Sequence, residues 1–128
     1  MADQSDVRRI ALALAQTSEA QDHFGFSVAN KGKQKQFVWA WAERVDPNKP
    51  RVPREDVVAV RVSDLEEKDA LLASDESKFF TEPHYDGFRA VLVRLAQIEE
   101  GELEELIVDA WRCQAPRELG DAFQWEGP

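Results

Sequence analysis

The sequence has few of the features that mark secreted, membrane-spanning or metal-binding proteins. Its 128 residues include one cysteine, Cys113, so no disulfide bond forms within the chain. No apolar run approaches the roughly 20 residues that a membrane-spanning helix needs. The N-terminal stretch is short and two aspartates precede its arginines, which does not fit a signal peptide. These absences predict a soluble protein of the reducing cytoplasm with no membrane partner.

Histidine is almost as scarce as cysteine. The two histidines, His23 and His84, lie far apart, and neither belongs to an H-x-x-x-H or C-x-x-C pattern. Zinc sites usually show such spacing. Glutamates at residues 99–105 would attract a cation loosely, but acidic residues are favoured at the start of a helix without any metal. The sequence therefore predicts no metal site and no cofactor.

Negative charge is in excess and is distributed unevenly. The formal net charge is −9, which on average repels phosphate backbones and anionic membranes. Residues 31–54 nevertheless hold seven lysines and arginines against two acids, a local balance of +5. Residues 99–128 hold nine acids against two arginines, a balance of −7. A polyanion would have to meet the first segment and avoid the second, although both are also typical of solvated faces.

Alternating side chains predict a β-hairpin in the first half of the chain. Residues 24–28 and 37–42 alternate between large apolar and small or polar side chains, as strands with one buried face do. The NKGK stretch between them is a turn signal. Because Phe37, Trp39 and Trp41 share one parity, we expect these three aromatic side chains on one face of the second strand.

Apolar spacing, capping residues and turn signals predict the remaining elements. Residues 5–18 fit an amphipathic helix with Ser5 as its N-cap. A loop at 46–55 is followed by a strand at 56–63 and by a helix at 63–74, which has a capping box between Ser63 and Glu66. The Asp86-Gly87 turn then precedes a strand at 88–95, and two helices at 99–113 and 116–123 complete the chain. The order α-β-β-β-α-β-α-α predicts a single α+β domain over residues 1–128, with an antiparallel sheet covered by helices.

Three stretches together resemble the MmcQ/YjbR family. They are GKQKQFVWAW in the predicted hairpin, FFTEPHYDGFRAVLVRL from residue 79 and DAWRCQAP from residue 109. The resemblance implies a compact fold similar to frataxin (CyaY), described as a double-wing motif. It also implies a family that is commonly labelled as predicted to bind DNA and has no agreed reaction or cofactor. The residues that we expect to carry the family signature or to line a pocket are Trp39, Trp41, His84, Tyr85, Arg94 and Trp111.

The basic hairpin tip is the strongest argument for nucleic-acid binding. Lys31, Lys33 and Lys35 alternate, so an extended strand would project them from one face. Trp39 and Trp41 continue that parity and would supply stacking surfaces. The neighbouring loop adds Lys49, Arg51 and Arg54. One hypothesis is a basic wing that contacts DNA phosphates. The alternative is that the lysines protect an exposed edge while the tryptophans fill the core.

A catalytic interpretation depends on the cluster around His84. A histidine beside Asp86 is able to act as a general base, and Arg94 on an adjacent strand is able to hold an anion. Neighbouring residues of an extended segment point in opposite directions, however, so His84 and Tyr85 need not share a pocket. There is no glycine-rich phosphate loop and no G-x-S-x-G elbow. We therefore expect no catalytic residues and no enzymatic activity.

Two binding functions remain after these exclusions. DNA binding through the basic hairpin leads, because the family carries that label and one segment is basic. The alternative is a module that binds a protein or a small ligand and has no nucleic-acid role. The exposure of Trp39 and Trp41 discriminates between pure core packing and recognition, because recognition needs aromatic surface that a partner can reach.

Overall fold

A six-stranded antiparallel sheet with helices packed on one side organises residues 1–123, which are those that the computed structural model describes. Residues 124–128, the end of the predicted domain, lie outside them. The strands are β1 (Thr17–Glu19), β2 (Gly25–Asn30), β3 (Lys33–Glu43), β4 (Val52–Arg61), β5 (Phe79–Phe80) and β6 (Ala90–Arg94). The helices are α1 (Gln4–Leu12), α2 (Leu65–Ser74), α3 (Glu100–Gln114) and α4 (Arg117–Ala122). The strands lie in the order β1-β2-β3-β4-β6-β5.

The predicted α+β class and the order of the longer elements are confirmed. The structure adds two short strands at the sheet edges, β1 and β5, and two 3₁₀ turns at Pro83–Tyr85 and Leu95–Gln97. Strands of two or three residues leave no periodicity for a sequence pattern to detect. Within residues 1–123 no helix is both long and apolar enough to cross a membrane.

The first helix is shorter than predicted and has a different N-cap. The Asp3 side chain accepts a hydrogen bond from the backbone of Asp6, and the Asp6 side chain accepts one from the backbone of Asp3. This reciprocal capping box places Ser5 inside the helix, so its assignment as N-cap is wrong. The helix ends at Leu12, and Gln16, with a φ of 57°, redirects the chain into β1.

Several other boundaries differ by a few residues. Asp64, not Ser63, caps α2, and the Glu67 side chain accepts a hydrogen bond from the amide of Ser63, so the predicted capping box between Ser63 and Glu66 is wrong. The loop predicted for residues 46–55 is shorter, because β4 already includes Pro53 beside an irregularity in its pairing with β3. Irregular pairing is where a strand tolerates proline. The last predicted strand begins at Ala90 and not at residue 88.

The main core lies between the sheet and the helices. Val58 and Val60 of β4 pair with Val93 and Val91 of β6, and these side chains are fully buried against α1 and α3. Trp111 of α3 is also fully buried, and its Nε1 donates to the backbone oxygen of Ala15 at 3.1 Å. Burial of this continuous apolar layer is the main source of stability for the fold.

One extra residue in β3 reverses the orientation of its side chains. The pairing with β2 is regular up to Gln36 and resumes at Val38, so Phe37 is a β-bulge. Phe37 and Val38 both lie in the helix-side core. Beyond the bulge, Trp39 and Trp41 belong to a cluster on the other side of the sheet. The prediction that Phe37 shares a face with the two tryptophans is therefore wrong.

The hairpin between β2 and β3 closes through a two-residue turn. Lys31 and Gly32 have φ values of 53° and 79°, and Asn30 pairs with Lys33 across them. Positive φ at both central positions is the geometry of a type I′ turn, whose twist matches that of the flanking strands. The predicted NKGK turn is confirmed, and its conformation depends on glycine at position 32.

We expect Gly32→Ala to lower the free energy of unfolding by about 1 kcal/mol, because a Cβ is disfavoured at positive φ. The matched control is Gly101→Ala, since a Cβ at either glycine has open space around it and Gly101 lies in a right-handed helix. That control should raise the unfolding free energy by about 0.5 kcal/mol. Urea unfolding of both variants measures the difference. Equal effects of the two substitutions would contradict the turn geometry.

Candidate functional site

The side of the sheet that faces away from the helices carries a second apolar cluster, and we call this side the open face. Its buried members are Trp41, Val57, Ala59 and Leu92, and Trp39, Phe80 and Tyr85 pack partly buried against them. None of these residues belongs to an α-helix. In the described part of the chain, the open face is therefore covered only by its own aromatic side chains and one loop, and not by an α-helix.

Three aromatic side chains of the open face surround a small cavity. Trp39 Nε1 donates to Tyr85 Oη at 3.1 Å. Phe88, which is 44% exposed, meets Trp39 and Tyr85 edge-on at centroid distances of 6.3 and 6.0 Å. With Gln36 and His84 these residues line a cavity of about 270 Å³, which we call the aromatic pocket. Its size suits a single flat ring or a short apolar chain.

A buried lysine holds the loop that forms one wall of the aromatic pocket. Lys68 of α2 is 3% exposed, and its Nζ donates to the backbone oxygens of Tyr85 and Phe88 at 2.6 and 3.0 Å. Burial lowers the pKa of Lys68. Sequence reasoning missed this residue, because a lysine in a charged helix is expected on the surface.

The turn that Lys68 holds has a defined backbone geometry. The amide of Phe88 donates to the oxygen of Tyr85 at 3.0 Å, and Gly87 has a φ of 76°. With extended backbone angles at Asp86, this is a type II turn. The predicted Asp86-Gly87 turn is confirmed, and it places Tyr85 and Phe88 on the same pocket.

His84 lies at the rim of the aromatic pocket. Its side chain is exposed, and its ring packs edge-on against Tyr85 at a centroid distance of 5.9 Å. Within residues 1–123 no hydrogen bond or ion pair joins His84 to Asp86 or to another side chain. The structure thus brings His84 and Tyr85 to one pocket, as ring neighbours and not as an acid–base pair.

The other histidine is tied to the same pocket through Gln36. His23 Nε2 lies 2.6 Å from Gln36 Oε1, and Nδ1 lies 2.7 Å from Asp22 Oδ1. Two oxygen acceptors favour a proton on each ring nitrogen and thereby raise the pKa of His23. The hydrogen bond to Gln36 has the larger effect on this pKa and the one to Asp22 the smaller. Gly25 leaves room for this contact, because a Cβ there would lie 2.5 Å from Gln36 Oε1.

A second cavity of about 370 Å³ lies on the open face, and we call it the arginine cleft. Its lining residues include Trp41, Glu43, Arg54, Asp56, Phe80 and Arg94. Arg54 donates to Asp56 at 2.8 and 2.9 Å and also pairs with Glu43. These bonds from Arg54 lower the pKa of Asp56.

Arg94 occupies the cleft in a different way from Arg54. Its guanidinium lies 4.0 Å from the centre of the Phe80 ring, and Nη1 donates to the backbone oxygen of Glu76 at 3.2 Å. No salt bridge to Arg94 is found in the described residues. Stacking on an aromatic ring leaves the edge of a guanidinium free to donate hydrogen bonds.

The predicted basic residues do not form one surface. Lys31, Lys33 and Lys35 are exposed at one end of β3. The other three predicted basic residues come after the opposite end of β3, and they are Lys49, Arg51 and Arg54. Ten residues of strand separate the two ends by roughly 30 Å. Lys35 pairs with Val28 of the helix-side core, and cross-strand partners share a face. The bulge at Phe37 therefore puts Lys33 and Lys35 on the side of the sheet opposite to the two tryptophans, and Lys31 lies in the turn itself.

The arginines at the far end of β3 are used within their own hairpin. Arg51 donates to the backbone oxygen of Ala42 at 2.9 Å, and Arg44 donates to that of Lys49 at 3.0 Å. Trp111, expected to carry the family signature or to line a pocket, lies in the helix-side core. No group of three or more His, Cys, Asp or Glu side chains placed to hold a metal ion occurs between residues 1 and 123.

Because the pKa of His23 is raised, its contribution to folding should be complete below its ordinary pKa of about 6.5 and be lost as the pH rises through the higher folded-state value. Asp22→Asn should lower the pKa of His23, and Asp46→Asn, which changes an acid with no contact to His23, should not. Proton NMR of the histidine Cε1 resonances measures this. A His23 pKa at or below the ordinary value would contradict the two hydrogen bonds.

This chain is similar to known proteins in sequence and, in one solved structure, in fold. The uncharacterized protein Rv2570 of Mycobacterium tuberculosis is 42% identical over 131 residues, covering 96% of this chain and 96% of that protein. The uncharacterized protein Mb2600 of Mycobacterium bovis matches to the same extent. The crystal structure of Deinococcus radiodurans protein DR2400, with a domain described as DUF419, superposes with a TM-score of 0.64 over 94% of this chain and 89% of that chain. At 17% identity this last likeness shows the fold alone.

A sequence model of the family tests the resemblance directly. The model described as YjbR matches residues 12–113, which include the β2–β3 hairpin, the aromatic pocket and most of α3. The predicted membership is confirmed, and the chain belongs to the YjbR family.

Proposed function

We propose that this protein is a non-catalytic binding protein that takes a small ligand with a flat apolar group on its open face. The observation that carries the proposal is the aromatic pocket, where Trp39, Tyr85 and the exposed Phe88 enclose a cavity on the face of the sheet that no α-helix of residues 1–123 covers. Pockets for small ligands are concave and mainly apolar, with a few polar groups that orient the ligand. Gln36 and His84 supply such groups at the rim.

The backbone around the aromatic pocket is pre-organised, which supports binding. The buried Nζ of Lys68 and the type II turn hold Tyr85 and Phe88 in place, and the hydrogen bond to Trp39 orients the Tyr85 ring. A pocket whose walls are already ordered loses less conformational entropy when a ligand binds. Trp41 is buried, as expected for core packing, so the aromatic surface that a ligand would reach is that of Phe88 and the partly buried Trp39.

The side chains around the pocket favour binding over catalysis. His84 is oriented by a ring contact with Tyr85 and not by a carboxylate. A general base normally has a partner that fixes its tautomer, and a nucleophile within hydrogen-bond reach. Neither arrangement is found around His84 in the described part of the chain. We therefore infer that the pocket binds its ligand without changing it chemically.

Nucleic-acid binding at the hairpin tip is the second candidate. Three exposed lysines surround the type I′ turn between β2 and β3, which supports contact with phosphates. The separation of these lysines from the remaining bases and the net charge of −9 favour the small ligand. Phosphate neutralisation supplies most nonspecific affinity for DNA, and a split basic surface neutralises few phosphates.

Indole is a suitable neutral probe for the proposal, read in ¹⁵N-labelled protein through the tryptophan side chains. We expect indole to shift the Nε1–H resonance of Trp39 and to leave that of Trp111 unchanged, because Trp111 is buried on the other side of the sheet. Tyr85→Ala should weaken indole binding about tenfold by removing one wall of the pocket. Tyr85→Phe keeps the ring and loses only the hydrogen bond from Trp39, so it should weaken indole binding less than Tyr85→Ala does.

The same spectra discriminate between the two candidates when a single-stranded oligonucleotide replaces indole. Salt-sensitive shifts confined to the backbone amides of residues 31–35, with no effect of indole, would favour nucleic-acid binding. If indole perturbs no resonance of the open face, the small-ligand proposal is wrong.

A further inference from the structure

We infer that the arginine cleft binds the carboxylate of a ligand that carries a flat aromatic body. This inference rests on the proposed function, because it assigns a ligand class to the open face. It concerns a cavity that the aromatic pocket does not include. The groups that carry it are Arg94, the indole of Trp41 and the ring of Phe80.

The first observation is an indole donor without an acceptor. Trp41 is 8% exposed and lines the arginine cleft. Its Nε1 is buried and has no hydrogen-bond partner in the structure of residues 1–123. Most buried polar groups are hydrogen-bonded, and those that are not call for an explanation. A ligand oxygen in the cleft would be the missing acceptor.

The second observation is an arginine that lies near Asp56 but forms no salt bridge with it in the described residues. Phe80 and the backbone oxygen of Glu76 hold the Arg94 guanidinium in position. One of its five N–H groups is used in that hydrogen bond, and the guanidinium forms no salt bridge within residues 1–123. The fork of an arginine matches the two oxygens of a carboxylate.

The acids of the cleft explain why we propose a single negative charge. Glu43 and Asp56 are already bound by Arg54 on the same wall. With Arg54 and Arg94 the lining carries two negative and two positive side chains, and of the two arginines Arg94 alone is outside a salt bridge in the described residues. A carboxylate carries one negative charge, whereas a phosphate monoester carries up to two. Glu43 and Asp56 would therefore repel a phosphate more strongly than a carboxylate.

The aromatic walls determine the remainder of the ligand. The Trp41 and Phe80 rings meet edge-on at a centroid distance of 5.4 Å, and Val57 lines the same cavity. A volume of about 370 Å³ is enough for one or two fused rings with a short acidic group. We therefore propose an aromatic monocarboxylate as the occupant.

The test compares naphthoate with its uncharged amide, naphthamide, by isothermal titration calorimetry. We expect naphthamide to bind about tenfold more weakly, because a hydrogen bond to a charged partner is stronger than a neutral one. Arg94→Gln should remove that preference, and Trp41→Phe should weaken naphthoate several-fold while keeping an aromatic wall. Phenyl phosphate should bind more weakly than naphthoate.

Two controls keep the result interpretable. Arg117→Gln changes an arginine whose side chain is 92% exposed on α4, outside the cleft, and should leave both affinities unchanged. Arg94→Lys keeps the positive charge without the fork, so it should give an intermediate preference. If Arg94→Gln fails to fold, Arg94→Lys measures the dependence on the guanidinium, and equal binding of acid and amide by the wild-type protein overturns the inference without any variant.

Each outcome has a defined meaning. A preference for naphthoate that depends on Arg94 supports the inference. Equal binding of naphthoate and naphthamide, or tighter binding of phenyl phosphate, overturns the carboxylate assignment but leaves the proposed function in place. Binding of neither compound also overturns the inference. The proposed function is then judged by the indole titration at Trp39, which reports on the other cavity.

Discussion

The β-bulge at Phe37 determines how the side chains of β3 are divided between the two sides of the sheet. Strand residues alternate with a period of two, so one inserted residue reverses every position beyond it. Before the bulge, Lys35 pairs with Val28 of the helix-side core. Beyond it, Trp39 and Trp41 reach the open face. The bulge thus separates the basic hairpin tip from the indole rings and supplies both cavities of the open face with a tryptophan.

The sequence alone predicts the long elements, because their apolar periods extend over enough residues to be distinguished. The helix at 99–113 and the hairpin with its NKGK turn agree with α3, β2 and β3 within a few residues. The bulge leaves no such signal, since an uninterrupted alternation from residue 33 to residue 41 looks like a regular strand. Tertiary packing places Phe37 in the core beside Val38 and thereby overrides the alternation.

The candidate site was predictable only in part. Five of the expected residues do lie on the open face, and they are Trp39, Trp41, His84, Tyr85 and Arg94. Lys68 was missed because its role appears only when α2 lies beside the turn that follows Tyr85. Arg54 was assigned to a phosphate-binding surface, yet it pairs with Glu43 and Asp56. Side-chain pairing across strands depends on register, which sequence spacing does not provide.

The aromatic pocket exists only if Trp39 points to the open face, and nuclear Overhauser effects from its indole Nε1 proton measure this orientation directly. Because Trp39 Nε1 donates to Tyr85 Oη at 3.1 Å, we predict cross-peaks to the ring protons of Tyr85 and none to side chains of α3 such as Trp111. Cross-peaks from Trp39 to α3, with none to Tyr85, would show that β3 has no bulge. Trp39 would then belong to the helix-side core, and the open face would lose the aromatic pocket.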